Sequence, residues 1–155
     1  MQVRRAQPSE TEELKDWIAA HHYLQSAPPG FVHLLEFVEG RDRLGGMLIG
    51  RPSAKTYDCN RILQLHRVWF IDETEHCIES KALALMRKHV RVWLPQIRLL
   101  LSYSDPSVGH EGTIYEADGW APLGLTDEAW GYGWNSRNGR RDQKVSRKMR
   151  WVRTP

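Results

Sequence analysis

Residues 102–120 read SYSDPSVGHEGTIYEADGW and follow directly on the apolar run of residues 97–101, IRLLL. A near-continuous apolar strand is the kind that a sheet covers on both faces. Polar loops at the end of such strands are where α/β proteins usually keep their chemistry. Asp105 comes just after the run and just before a proline, so it stands at the C-terminal end of the strand. There it either caps the next turn or works on a substrate amine. Strand side chains alternate, so one of Ser102 and Tyr103 faces any cleft at that point. GTIYEADGW then gives a short helix that ends at Gly119, with Tyr115 on it and His110 just before it.

Working outward, ESKALALMRKHVRVWL precedes the strand and reads as a helix that buries Ala82, Leu85, Met86, His89, Val90 and Trp93. Before it, ILQLHRVWFI reads as another strand, with Leu63, Leu65, Arg67 and Trp69 on one face. FVHLLEFVEG and LGGMLIGRP form a hairpin about the turn Gly40-Arg41-Asp42-Arg43. The first helix starts after Pro8, capped by Ser9 or Thr11, and presents Leu14, Trp17, Ile18 and Leu24 until Pro28-Pro29-Gly30 stops it. After Trp120, APLGLT and the Trp-rich stretch supply one or two strands, and KVSRKMRWV closes the sheet. This order predicts one α/β (α+β) domain over residues 1–155, a mixed sheet with helices on both faces.

A chain of 155 residues can bury one substantial core. No apolar run nears the roughly 18 residues that a membrane span requires, and MQVRRAQPSETEEL turns acidic where a signal peptide needs its apolar centre. The expectation is a cytoplasmic protein. Cys59 and Cys77 make no CxxC pair and are expected as two buried thiols. The net charge of +3 is unevenly spread. From Trp134 onward eight Lys/Arg face Asp142 alone, which leaves the rest of the chain at −4. Four of the seven tryptophans fall from Trp120 on. A basic segment interleaved with aromatics, here residues 130–155, suits phosphate contact and base stacking, and it equally suits a solvated edge strand.

The ordered set HYLQSAPPG (His22 onward in its core), GGMLIGRP, LHRVWF, the pair Glu79-Ser80 and SYSDPSVGHEGTIYEADGW resembles the Mom family of bacteriophage DNA-modification proteins. TIYEADGW also resembles a tyrosine-bearing signature of the GNAT acyltransferase superfamily, to which Mom-like proteins are related. The resemblance implies a GNAT-like fold with a mostly antiparallel sheet and splayed central strands. It implies a phage- or prophage-encoded transferase that modifies the N6 amine of adenine in DNA with a carbamoylmethyl-type group and shields phage DNA from restriction. It places catalysis on Tyr115, Asp105, Ser102, His22, Tyr23 and Arg67, with Tyr115 protonating a departing thiolate. A phenol with a pKa near ~10 suits that task. Cofactor contacts are expected at Val68, Phe70, His76, Ser80, Thr113 and Tyr115. The DNA partner is expected at Arg137, Arg140, Arg141, Lys144, Arg147 and Lys148, with Trp130, Tyr132 and Trp134 able to receive a flipped base.

The superfamily implies acetyl-CoA or a related acyl donor. Its glycine loop for pyrophosphate is missing here, since IDETEHCIES carries Asp72, Glu73, Glu75 and Glu79 and no glycine. His76 and Ser80 stand at the helix start as phosphate contacts, or Ser80 as its cap. Histidine, tyrosine and aspartate make an iron-type ligand set, which brings in iron as a candidate cofactor. Arg67 in a core strand needs a carboxylate partner such as Glu79, or a substrate group. Two further functions stay open: an N-acetyltransferase acting on a small amine or protein, and a non-catalytic DNA-binding module. The sequence leaves the oligomeric state and any metal requirement undetermined.

Overall fold

The computed structural model describes every residue except 23, 24, 26, 28–30, 73 and 128–145, together with the side chains of 31 and 32. Among the described residues seven strands form one sheet: β1 (Gln2–Arg5), β2 (Phe31–Glu39), β3 (Asp42–Gly50), β4 (Ile62–Phe70), β5 (Leu99–Ser104), β6 (Ala121–Leu125) and β7 (Met149–Arg153). Their spatial order is β1-β2-β3-β4-β5-β7-β6. Among these strands only β4 and β5 run parallel; their other pairings are antiparallel. The helices are α1 (Thr11–His21), α2 (Ile78–Trp93) and the short α3 (Thr113–Ala117).

Each face of the sheet has its own core. On one side α1 buries Leu14 and Ile18 against Leu34, Leu48 and Ala6. On the other, α2 places Ile78, Ala82, Leu83, Met86 and Val90 against Leu35, Phe37, Met47, Ile49, Leu63, Leu65 and Leu100. A fully buried side chain of this size contributes about 2 kcal/mol, so the two helices fix the sheet from both sides. The cap expected for α1 from Ser9 or Thr11 does not form: its N-cap is Glu10, whose side chain makes no cap hydrogen bond to the helix. Glu10 Oε2 instead accepts the Gln7 N–H at 3.0 Å across the preceding turn Pro8–Glu10, and Thr11 Oγ1 donates to the Gln7 carbonyl at 3.0 Å.

One irregularity decides where the site residues point. In β3, Leu48 pairs with Arg67 and the next residue, Ile49, pairs with Leu65. His66 is therefore an extra residue in β4, a β-bulge, and it inverts the side-chain alternation after it. Leu63 and Leu65 join the core under α2, whereas Arg67 lies opposite Leu48 on the α1 side. Trp69 follows it there and meets Trp17 edge-on at 4.5 Å and His21 at 4.4 Å. The expectation that all four residues share one face fails at the bulge.

The β4–β5 pairing runs only from Ile62–Leu99 to Leu65–Ser102. Beyond it the rest of β4 stays with β3, and β5 stays with β7. The two central strands part where the polar loop begins.

Other expectations need correction. β1 was not foreseen, and β7 slots between β5 and β6. Trp93 is 68% exposed at the end of α2, and Leu83 takes the buried place instead. His89 of α2 meets His33 of β2, Nε2 to Nδ1, at 3.4 Å. Both cysteines are exposed. Among the described residues no helix is long and apolar enough to cross a membrane.

Candidate active site

Tyr115 sits at the parting of β4 and β5. Its hydroxyl lies 2.8 Å from Ser102 Oγ, which in turn donates to the Leu65 carbonyl at 3.1 Å. Ser102 has a single hydroxyl proton, so when the carbonyl takes it the phenol is the donor between the two hydroxyls. Leu65 and Ser102 are the last pair of the parallel ladder. The proton chain thus ends where the strands separate. The ring is fixed by two neighbours, Trp120 at 5.3 Å and Trp151 stacked at 5.7 Å. Trp151 is held by its own hydrogen bond, Nε1 to Ser104 Oγ at 2.9 Å. Gly112 begins α3 at φ +98°, and a Cβ there would come within 2.3 Å of the Trp151 ring. The glycine of GTIY is therefore needed to seat the tyrosine.

Asp105 is buried, and its carboxylate is fully engaged. Oδ1 accepts from Ser107 N at 3.0 Å and Ser107 Oγ at 2.6 Å, and Oδ2 accepts from Ser146 Oγ at 2.7 Å and from Lys148 Nζ. Burial pushes its pKa up, but the bonds from Lys148, Ser107 and Ser146 outweigh this and hold it at about 2. Such a carboxylate is a poor base. The geometry gives it the capping role, and its main-chain carbonyl also accepts the His110 N–H at 3.1 Å.

On the α1 side, His22 and Arg67 come together with His110. The His22 imidazole is held neutral, its pKa pushed down to about 3 by burial first and then by the charges of Arg67 and His110. Arg67 Nη1 donates to the His66 carbonyl at 2.7 Å, an acceptor within its own bulge. His66 is likewise lowered to about 4, mainly by burial. So is His33, to about 4, by burial and then by Arg5 and His89. Tyr23 lies outside the described residues.

These three histidines make stability depend on pH. An unfolded histidine binds its proton near pH ~6.5, whereas the folded protein refuses it until pH 3–4. The unfolded state therefore holds more protons in that window, and stability falls as pH drops through it. We expect urea unfolding at about pH 5 to show a loss of about 1 kcal/mol per histidine relative to neutral pH, after allowing for solvent screening. The triple variant His22→Gln/His33→Gln/His66→Gln should flatten that slope; an unchanged slope would assign it to other groups.

The cofactor positions fare unevenly. Phe70 is a core residue whose buried side chain packs on Phe37 at 5.3 Å. Val68 is partly buried against the same core, and Thr113 is the exposed first residue of α3. The N-cap of α2 is Cys77, at φ +66°, rather than Ser80, whose Oγ donates back to the Cys77 carbonyl at 2.9 Å. Cys77 Sγ lies 2.8 Å from His76 Nδ1. A Cβ and thiol thus fill the place where a main-chain cradle for pyrophosphate needs a bare glycine. Glu75 is exposed and paired with Lys81 at 2.6 Å, and Asp72 is exposed beside it. These residues do not fit the nucleotide end of coenzyme A. For iron, among the described residues no three His, Cys, Asp or Glu side chains gather to hold a metal ion, and Asp105 is already bonded to Lys148.

Of the expected DNA contacts, Lys148 is half-buried and is the counter-ion of Asp105. Arg147 is exposed and donates through Nε to the Thr126 carbonyl at 2.9 Å. Arg137, Arg140, Arg141 and Lys144 lie outside the described residues, as do Trp130, Tyr132 and Trp134. The sequence reading missed Ser104, Ser146 and the His66 bulge. No local motif marks them, because their partners come from elsewhere in the chain.

Three solved structures share this architecture. They are a GNAT-family acetyltransferase from Streptococcus pneumoniae (12% identity, TM-score 0.67, 98% of this chain and 97% of that one), a ribosomal-protein-alanine N-acetyltransferase from Brucella melitensis (10%, 0.68, all of both chains), and an aminoglycoside acetyltransferase solved with coenzyme A and kanamycin (9%, 0.69, 99% and 94%). At such identities they show the GNAT fold alone. The methylcarbamoylase Mom of Escherichia phage Mu is 25% identical over 127 residues, 73% of this chain, and the match spans about half of that relative, 52%. The Mom protein family model matches residues 4–154, nearly end to end, and the chain belongs to that family.

Proposed function

We propose that this protein is a transferase that adds a carbamoylmethyl-type group to the N6 amine of adenine in double-stranded DNA, the modification that protects phage DNA from restriction. The observation that carries this reading is the hydroxyl pair Tyr115–Ser102 at the parting of β4 and β5, in a chain of the Mom family. The name of the phage Mu relative, methylcarbamoylase, supports the same chemistry.

The roles follow from the local chemistry. The bond from the transferred carbon to its carrier breaks as N6 bonds to that carbon. Tyr115 gives its hydroxyl proton to the departing carrier, Ser102 turns its hydroxyl from the Leu65 carbonyl to the phenolate, and the proton that N6 sheds restores the phenol. His22 stays neutral and serves as a hydrogen-bond partner, while Arg67 brings the positive charge that steadies developing negative charge. Asp105 positions the loop that carries His110. Adenine N6 is inside the duplex stack, so the base must flip out, which costs a few kcal/mol. The basic and aromatic residues of the 130–155 segment are the sequence's candidates for holding the opened DNA.

The test is direct. Plasmid DNA from cells expressing the protein is digested to nucleosides and analysed by mass spectrometry. A deoxyadenosine heavier by one carbamoylmethyl group is expected, along with resistance to restriction. Unmodified DNA from cells that contain folded protein would sink the reading.

A further inference from the structure

On its side of the sheet α1 packs on β2, β3 and β4. Leu63, Leu65 and Leu100 belong to the core under α2, so by alternation Gln64 of β4 and Tyr103 of β5 point to the opposite face, the α1 side. The loop between β3 and β4, residues 51–61, folds back onto them. Gln64 Oε1 accepts the Ser53 N–H at 2.8 Å, and the Tyr103 phenol is hydrogen-bonded to Tyr57. Where the loop leaves β3, the Arg51 carbonyl meets Nε2 of His66, the bulge residue, at 2.9 Å. These bonds pin the loop beside the parting of β4 and β5, on the face to which Arg67 points.

The charge of this loop has one sign. RPSAKTYDCNR carries Arg51, Lys55 and Arg61 against Asp58 alone, and all four are exposed. Asp58 accepts the Asn60 N–H at 2.9 Å within the loop, and among the described residues no ion pair engages the three cations. Arg150 lies opposite Tyr103 in the β5–β7 register and brings another guanidinium to the same face. Burial, and then Tyr57 beside it, push the Tyr103 phenol above its ordinary range, so the tyrosine pair adds no negative charge. The α2 side of the parting is acidic, with Asp72 and Glu75 exposed ahead of that helix. Exposed cations without carboxylate partners suit phosphates, whose counter-ions they displace. Contacts of this kind set the position of a duplex and leave the choice of base to the site itself.

We propose that loop 51–61 is a phosphate-contacting surface that holds double-stranded DNA on the α1 side of the sheet, while the target adenine enters the parting of β4 and β5. The identity of the ligand rests on the DNA-modification reading, and a binding measurement separates the two. Fluorescence anisotropy of a labelled duplex of about 20 base pairs with the full chain, between about 50 and 200 mM salt, tests it. Arg51→Gln/Lys55→Gln should weaken binding by about tenfold at the low-salt end and reduce the slope of log affinity against log salt by about 2. Lys88→Gln/Arg91→Gln removes the same charge from exposed positions of α2 and should leave the slope unchanged. An unchanged slope in the loop variant, an equal loss in both variants, or a parent chain that does not bind the duplex would overturn the proposal. Modified DNA from the parent together with parent-like binding by the loop variant would remove this surface alone. Unmodified DNA with the loop effect intact would remove the chemistry and keep the surface.

Discussion

Tyr115→Phe is expected to lower the modified deoxyadenosine recovered from plasmid DNA by a factor of about 10²–10⁴, the range that a positioned proton donor supplies. The protein should remain folded. The ring keeps its contacts with Trp120 at 5.3 Å and Trp151 at 5.7 Å, and the hydrogen bond to Ser102 disappears. Ser102 still has the Leu65 carbonyl, so the loss in stability should be about 1 kcal/mol. Ser102→Ala is the companion variant. It leaves the phenol in place without its relay, and a smaller fall of roughly tenfold is expected from lost alignment. A tyrosine that only fills the core would show the same small loss of stability with full modification. Full modification by the Phe variant would remove Tyr115 from the chemistry and, with it, the main support for the proton chain.

Much of this site was legible because its pieces obey local rules. The apolar run before Ser102 had to be a buried strand, the hairpin turned at Gly40 as its residues require, and GTIY placed a tyrosine one turn into a short helix. What escaped was set by pairing between distant segments. The bulge at His66 exists only relative to β3, and no glycine marks it. The period-two reading therefore put Arg67 on the wrong face, although the strand itself was right. Trp93 fits the helical stripe with His89 and Val90, yet it is 68% exposed where α2 runs out. β1 is four residues long with an exposed edge, too short for an alternation to register. The position of β7 between β5 and β6 is a matter of strand order, which periodicity does not encode. Asp105 was found, with capping of the next turn as one of its two readings, but its partners Ser146 and Lys148 are 41 and 43 residues away, so the ion pair that decides between them was not legible.

That role is open to a large and specific prediction. Asp105→Ala strips acceptors from Ser107, Ser146 and Lys148 at once. Removing one side of a buried, hydrogen-bonded ion pair typically destabilises by about 3–5 kcal/mol. In a chain of this size that corresponds to a melting temperature lower by roughly 10 °C. Lys148→Met should lose less, because the two serines still bond the carboxylate, and the Asp105→Asn/Lys148→Met double variant should fall short of the summed single losses by about 1 kcal/mol. The pH dependence has a definite sign. The carboxylate ionises near 3.8 when unfolded and near 2 when folded, so its contribution is present above pH 3.8 and lost as pH falls through 2. Asp105→Asn should erase that acid limb. Activity then separates positioning from catalysis. A general base replaced by its amide should fail as completely as Tyr115→Phe. A carboxylate whose four acceptor positions are spent on Ser107, Ser146 and Lys148 should lose only about tenfold as asparagine, since the amide oxygen still caps Ser107 and His110 still donates to the unchanged main-chain carbonyl. A complete loss in a folded Asn variant would return Asp105 to the reacting atoms, and a melting temperature for Asp105→Ala within a degree or two of the parent would show that the bonds drawn to it hold nothing together.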